Sequence, residues 1–299
     1  MKFINKIKWR IEFLFKKSKK GKLKLIVYNL LPARSSLAEK IISSEVKKCP
    51  LIKIEKLGEN DLIIDTGLMK LIYPKNLKMS HFAGDYACLI YPYLKERNEK
   101  ISLLDFFPEH EGTYEKDEVE LKEGDWVVDA GANVGMFSIL AAKKVGDKGK
   151  VFAFEPILET QKLLKGNMGL NGIKNIEIVP FALGDKKGEL NFSIYPKSLE
   201  CSSGFFDNEG GVEKVKQISL DEFIEENNIS KVDFIKSDVE GMERNLLIGA
   251  EATIKKFKPR LAICTYHRPD DPEILEKMVK DFSPEYKIIK DDKKLFAWN

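Results

Sequence analysis

Asp129, Gly131, Asn133 and Gly135 stand close together in "WVVDAGANVG", the stretch from Trp126 to Gly135. An apolar run ends in a carboxylate, and two glycines follow at close spacing. Glycine has no side chain, so a ligand can come near the backbone there. A helix starting just beyond offers free amide donors. In open parallel sheets, small molecules bind in such places, beyond the carboxyl ends of the strands.

A dinucleotide is the first ligand to weigh. Its fingerprint, Gly-x-Gly-x-x-Gly, cradles a pyrophosphate. Here Asn133 takes the place of the second glycine, and the third comes one residue early. Asp129 also puts negative charge just before the turn. A cationic ligand without phosphates fits better, and S-adenosylmethionine carries a sulfonium, an ammonium and no phosphate. Glu155 ends a second apolar run, "FAFEP". A carboxylate at that position can accept hydrogen bonds from both ribose hydroxyls. Asp129 and Glu155 at neighbouring strand tips, beside the glycines, make a cofactor site. A nicotinamide oxidoreductase and an S-adenosylmethionine-binding module without turnover remain as alternatives.

Two further residues lie where chemistry is expected. Asp238 follows the strand in "VDFIKSDVEG" and His267 follows the strand in "RLAICTYH". Neighbouring strands bring both to one rim, where either could take a proton from a hydroxyl acceptor. Glu240 joins them, as a brace for the "DVEG" turn or as a catalytic carboxylate. With Asp270 and Asp271 these groups could ligate a divalent metal. The spacing is not diagnostic, and "RPDDPE" reads more simply as a helix start, so no metal site is assigned.

These residues need a scaffold. From Val119 onward, strands, glycine turns and helices alternate: "WVVDAGA", "VGMFSILAAKKVG", "KVFAFEP", "ILETQKLLKGNMGLNG" and "IEIVPFALGD". The pattern implies a parallel sheet covered by helices, an α/β fold. A polar insertion is expected from Lys186 to Lys216, and a single helix over "MERNLLIGAEATIKKF". "YKIIKDDKKLFAWN" closes the chain as a strand pair around a polar turn. Residues 1–21 form a basic amphipathic helix, with Phe3, Ile4, Ile7, Ile11, Leu14 and Phe15 on one face. That face either packs on its own domain or docks on an anionic membrane surface. Residues 22–110 form an α+β region. Its "LIKIEKL", "DLIIDTG" and "KLIYPK" suggest a small antiparallel sheet, and "LAEKIISSEVKK" and "YACLIYPYLKE" read as helical.

Composition narrows the function. Lys and Arg number 50 against 47 Asp and Glu, a net charge of +3, too little for a strong polyanion binder. Basic charge gathers at the N-terminus, and no Asn-Pro-Pro-Tyr type motif follows the fourth strand, so nucleic acid is not an expected partner. Four scattered cysteines and three histidines argue against a zinc site. A reducing cytoplasm is the expected setting, with peripheral contact at the inner membrane face through residues 1–20. Neither a membrane span nor a signal peptide is expected.

Taken in order, "VVDAGANVG", "FAFEP", "PFALGD", "IKSDVEGMERNLLIGA" and "KPRLAICTYHRPDD" resemble the FkbM-type methyltransferases over roughly Tyr114 to Asp271. The resemblance implies a Rossmann-like class I methyltransferase domain over residues 111–299. Its sheet would have seven mostly parallel strands with helices on both faces, the last strand antiparallel. By the same resemblance, Asp129, Gly131, Asn133 and Gly135 line the methionine part of S-adenosylmethionine, and Glu155 holds the ribose. Ala182 and Leu183 border the adenine, Asp238 sits near the donor methyl, and Tyr114 and Glu115 close the pocket. Ser237 stands where an apolar residue is commoner. The implied acceptor is a hydroxyl on a sugar, a lipid-linked glycan or a polyketide. The N-terminal helix favours a glycolipid or surface-polysaccharide precursor.

Overall fold

The structure is a computed structural model. It describes residues 43, 46, 52–74, 113–193, 204 and 211–299. The expected helix over residues 1–21 and the helical reading of "YACLIYPYLKE" lie outside the described residues. So does most of "LAEKIISSEVKK", of which Ser43 and Val46 are helical.

The central sheet has seven strands: β4 (Trp126–Ala130), β5 (Lys150–Phe154), β6 (Ile176–Val179), β10 (Phe234–Ser237), β11 (Arg260–Cys264), β12 (Lys287–Lys290) and β13 (Lys294–Trp298). Their order is β12-β13-β11-β10-β4-β5-β6. β13 runs antiparallel to both of its neighbours, and the β11-β10-β4-β5-β6 pairs are parallel. This is the class I methyltransferase arrangement. Chain order reverses between β4 and β10, so a crevice opens beyond their carboxyl ends.

Helices cover both faces. α1 (Met136–Val145) and α2 (Leu158–Leu170) pack one face through Phe137, Ile139, Leu140 and Leu164. Eight of the ten α1 residues are buried, so the helix is apolar nearly all round. The other face meets α3 (Leu220–Glu226), α4 (Glu243–Ile248), α5 (Glu251–Phe257) and α6 (Asp271–Phe282) through Phe223, Leu246, Ile254, Leu275 and Val279. Ser219 and Glu222 start α3 with a reciprocal capping box.

The expected antiparallel sheet is present: β1 (Lys53–Leu57), β2 (Asp61–Asp65) and β3 (Lys70–Pro74) form a meander. It shares the core of the α1–α2 face through Ile64, Met69, Leu71 and Tyr73. Buried Asn167 on α2 accepts from the Ile72 amide at 2.6 Å and donates to the Val134 carbonyl at 2.8 Å. Asn171 adds two bonds to Lys70.

Three local expectations change. "IEIVPFALGD" is two strands, because Pro180 has no amide to continue a ladder. β6 ends before it, and β7 (Ala182–Gly184) joins another sheet. The polar insertion supplies the partners there, β8 (Gly188–Ser193) and β9 (Val212–Ser219). "MERNLLIGAEATIKKF" is two helices broken at Gly249, where a Cβ would meet the Gly184 carbonyl oxygen at 2.0 Å. Asp221 caps the second of them through the Ala252 and Thr253 amides.

Candidate active site

Gly131, Asn133, Glu155, Ala182, Leu183 and Asp238, all expected site residues, line one crevice of about 540 Å³, part of it open to solvent. Phe154, Pro156, Ile157, Phe181, Phe192, Val239, Glu240 and Met242 complete its wall. Apolar side chains gather at the β6–β7 end, and carboxylates stand at the β5 and β10 ends.

Asp129 and Gly135 do not line this crevice, and the reasons are physical. Asp129 is fully buried. Its Oδ1 lies 2.9 Å from Lys236 Nζ, and its Oδ2 accepts from the Ser138 hydroxyl. Its charge is thus met by an internal lysine. Lys236 also donates to the carbonyls of Ala130 and Gly131, at 3.2 and 2.7 Å, and so fixes the glycine turn from beneath. Burial pulls this ammonium down, but Asp129 and Asp238 outweigh it, and its pKa stays above the ordinary lysine value. Gly135 has φ +89, and a Cβ there would meet Leu164 at 2.1 Å. Gly131 has φ +75, and a Cβ would lie 2.0 Å from the Asp238 carbonyl oxygen. Both glycines are demanded by neighbouring protein as well as by their left-handed backbone.

Glu155 is 6% exposed. Its Oε2 accepts from the Asn133 amide and its Oε1 from the Ile157 amide, both at 2.9 Å. Burial pushes the carboxyl up to about 7, although those two amides pull the other way. Asn133 Oδ1 is buried without a hydrogen-bond partner.

The rim beyond β10 and β11 is as expected: Asp238 and His267 meet there. Asp238 accepts from the Tyr114 hydroxyl at 2.6 Å and the Tyr266 hydroxyl at 3.1 Å. Burial alone would raise its carboxyl; Lys236, His267 and the Tyr114 hydroxyl outweigh that and hold it low. The His267 side chain is 4% exposed and surrounded by carboxylates. Nδ1 lies 2.9 Å from Glu243 Oε1, and Nε2 lies 3.7 Å from Asp238 Oδ1 and 3.6 Å from Glu240 Oε2. Burial favours the neutral ring, but these carboxylates prevail and push it up to about 10. Glu240 holds the turn in the left-handed region, at φ +51. Glu243 braces the same turn by accepting from the Val239 and Gly241 amides. Asp270 and Asp271 pair with Arg244, as a helix start held by an arginine. Tyr114 reaches Asp238 from behind, whereas Glu115 turns away to Lys144 and the Leu121 amide.

The sequence reading missed Lys236, Tyr266 and Glu243. Lys236 had a signal: a lysine in the apolar strand "VDFIKS" is either at an edge or buried with a partner. The sequence profile of the Methyltransferase FkbM domain matches residues 129–286, just over half of the chain. The chain belongs to the FkbM methyltransferase family. The family is one of methyltransferases that use S-adenosylmethionine as donor, which sets a nicotinamide aside. The pocket suits that donor: an orphaned amide oxygen on Asn133, a carboxylate at the β5 tip and an apolar slot between them and β7.

The curated proteins that the chain resembles include distant ones. The hexuronic acid methyltransferase AglP of Haloferax volcanii is 26% identical over 163 residues, covering 54% of this chain and 64% of AglP. The AMB antimetabolite synthetase AmbE of Pseudomonas aeruginosa is 26% identical over 175 residues, 46% of this chain and 8% of AmbE. The chain thus spans less than two thirds of either relative. A crystal structure of methyltransferase FkbM from Methylobacillus flagellatus is 22% identical, with 62% of this chain and 48% of that one covered and a TM-score of 0.45. Among the described residues no helix is long and apolar enough to cross a membrane.

Proposed function

We propose that the chain methylates a hydroxyl on a sugar, glycan or glycolipid. Gly131 and Asn133 hold the amino-acid end of S-adenosylmethionine, Glu155 accepts from the ribose hydroxyls, and Ala182 and Leu183 flank the adenine beside Phe181 and Phe192. Asp129 acts through Lys236, as the buried anchor of the turn. Gly135 lets α2 close against that turn through Leu164.

The observation that carries the acceptor side is Asp238. It lines the crevice and is oriented by two tyrosine hydroxyls. A carboxylate there accepts a hydrogen bond from the acceptor hydroxyl and aligns it with the methyl carbon and sulfur; positioning supplies much of the rate in such a displacement. His267 is nearly enclosed and reaches the crevice only past Asp238 and Glu240, so it acts as a positioning group. A sugar is favoured by the ring of Tyr266, 46% exposed beside Asp238, which offers an apolar face to pyranose C–H groups. The name of AglP, a hexuronic acid methyltransferase, points the same way.

The test is conversion of a panel of free and lipid-linked hexoses and hexuronic acids, read as S-adenosylhomocysteine release. Asp238→Asn is expected to lose turnover at least 100-fold while binding S-adenosylhomocysteine within threefold of the parent, in line with the range for one catalytic proton or charge contact. Unchanged turnover removes Asp238 from the reaction, and methylation of a non-carbohydrate hydroxyl in preference to every sugar defeats the acceptor class.

A further inference from the structure

The geometry points to a divalent-cation site at the acceptor rim, formed by Asp238, Glu240 and His267. One ligand atom from each of these three side chains lies within 4.8 Å of the others. The imidazole is the telling group. Its side chain is 4% exposed, yet neither ring nitrogen makes a well-aligned hydrogen bond; both sit among carboxylate oxygens. Nε2 is aimed between two carboxylate oxygens at 3.6 and 3.7 Å. Those gaps exceed an N–H···O hydrogen bond, about 2.7–3.2 Å. They approach the separation of neighbouring ligands around one ion, about 3.0–3.5 Å for bonds of roughly 2.1 Å.

The surroundings are those of a metal-binding histidine. Nδ1 rests 2.9 Å from Glu243 Oε1, and Glu243 is pinned by two backbone amides. An ion would displace the Nε2 proton, and the carboxylate beside Nδ1 favours the tautomer that then presents Nε2 to the ion. Glu240 reaches the rim from a left-handed backbone position, φ +51, which non-glycine residues seldom adopt. Such strain is retained where a side chain has to be aimed. The ligand set, one imidazole and two carboxylates, suits Mn²⁺ or a similar first-row ion better than Ca²⁺ or Mg²⁺, which prefer all-oxygen shells.

Asp238 and Glu240 both line the crevice, so an ion between them meets the acceptor. This role, unlike the binding itself, rests on the proposed hydroxyl methylation. Coordination to the ion lowers the pKa of the acceptor hydroxyl. Its proton leaves to water, the oxygen lone pair forms the bond to the methyl carbon, and the carbon–sulfur pair stays on sulfur as the thioether.

The experiment is calorimetric titration of MnCl₂ into the full chain after chelator treatment, with no methyl donor present, and Mn²⁺ electron paramagnetic resonance on the same samples. One Mn²⁺ per chain is expected, weakened at least tenfold by Glu240→Gln and by His267→Gln, while S-adenosylhomocysteine affinity changes less than threefold. Glu240 is 26% exposed, so Glu240→Gln keeps the test valid should His267→Gln fold poorly. No saturable uptake, or uptake that both variants leave unchanged, overturns the site. Ion binding with no sugar methylated leaves the site standing and defeats the acceptor reading instead.

Discussion

Glu155 links the donor pocket to stability. Its carboxyl ordinarily titrates near 4.5 and is pushed up to about 7 here, burial being the main cause. Below pH 4.5 it is protonated folded and unfolded, and folding carries no charge penalty. As pH rises the unfolded chain ionises first, so stability present at low pH is lost until the folded carboxyl has ionised near 7. At 1.36 kcal/mol per unit, the full shift corresponds to about 3.4 kcal/mol, of which about 2.5 kcal/mol falls between pH 5 and 8. Glu155→Gln removes the titration. It also turns an amide donor toward a backbone N–H, which lowers stability by an amount that does not vary with pH. The readout is therefore the difference in slope between the two proteins, from denaturant unfolding of donor-free protein at pH 5, 6, 7 and 8. On the proposed ribose contact binding runs the other way, since ribose hydroxyls would donate to the ionised form. The ionised fraction rises from about one tenth at pH 6 to about nine tenths at pH 8, so S-adenosylhomocysteine affinity is expected to rise about tenfold in the parent and stay flat in the variant. Parallel stability curves for the two proteins would refute the reasoning.

Two more perturbations test how the turn is held. Lys236→Met leaves the buried Asp129 charge uncompensated and is expected to lower unfolding free energy by about 3–5 kcal/mol, with partial recovery in the Lys236→Met/Asp129→Asn double variant; additive losses in the denaturation midpoints would contradict the pairing. Asn167→Leu strips partners from the Ile72 amide and the Val134 carbonyl, an expected loss of about 3 kcal/mol. Limited proteolysis should then cut the β1–β3 meander sooner, and an unchanged cleavage rate would mean the meander is held by its apolar contacts alone.

Much of the site was legible because strand tips announce themselves. Glu155 closes "FAFEP", Asp238 follows "VDFIKS" and His267 follows "RLAICTY"; parallel neighbours then bring them to one edge. What stayed hidden depends on pairs far apart in the chain. Nothing near Asp129 tells that Lys236, on the next strand over, neutralises it. Gly131 and Gly135 looked like openings for a ligand, but the atoms that require their bareness belong to the Asp238 carbonyl and Leu164. The need for glycine at the Gly249 break was equally hidden, since what leaves no room for a side chain is the Gly184 carbonyl across the fold. Pro180 was visible, and its missing amide could have divided the third strand in advance.

The contact of Gly131 with the carbonyl of Asp238 has an evolutionary reach. The bend proposed to grip the donor and the loop proposed to face the acceptor touch through main-chain atoms, and Lys236 on β10 donates to the Gly131 carbonyl. Neither can drift to suit a new substrate without disturbing the other. Diversification of acceptor choice within this scaffold is therefore steered away from the β10 loop, toward the exposed ring of Tyr266, where a change that keeps the hydroxyl's bond to Asp238 leaves both the loop and the bend in place.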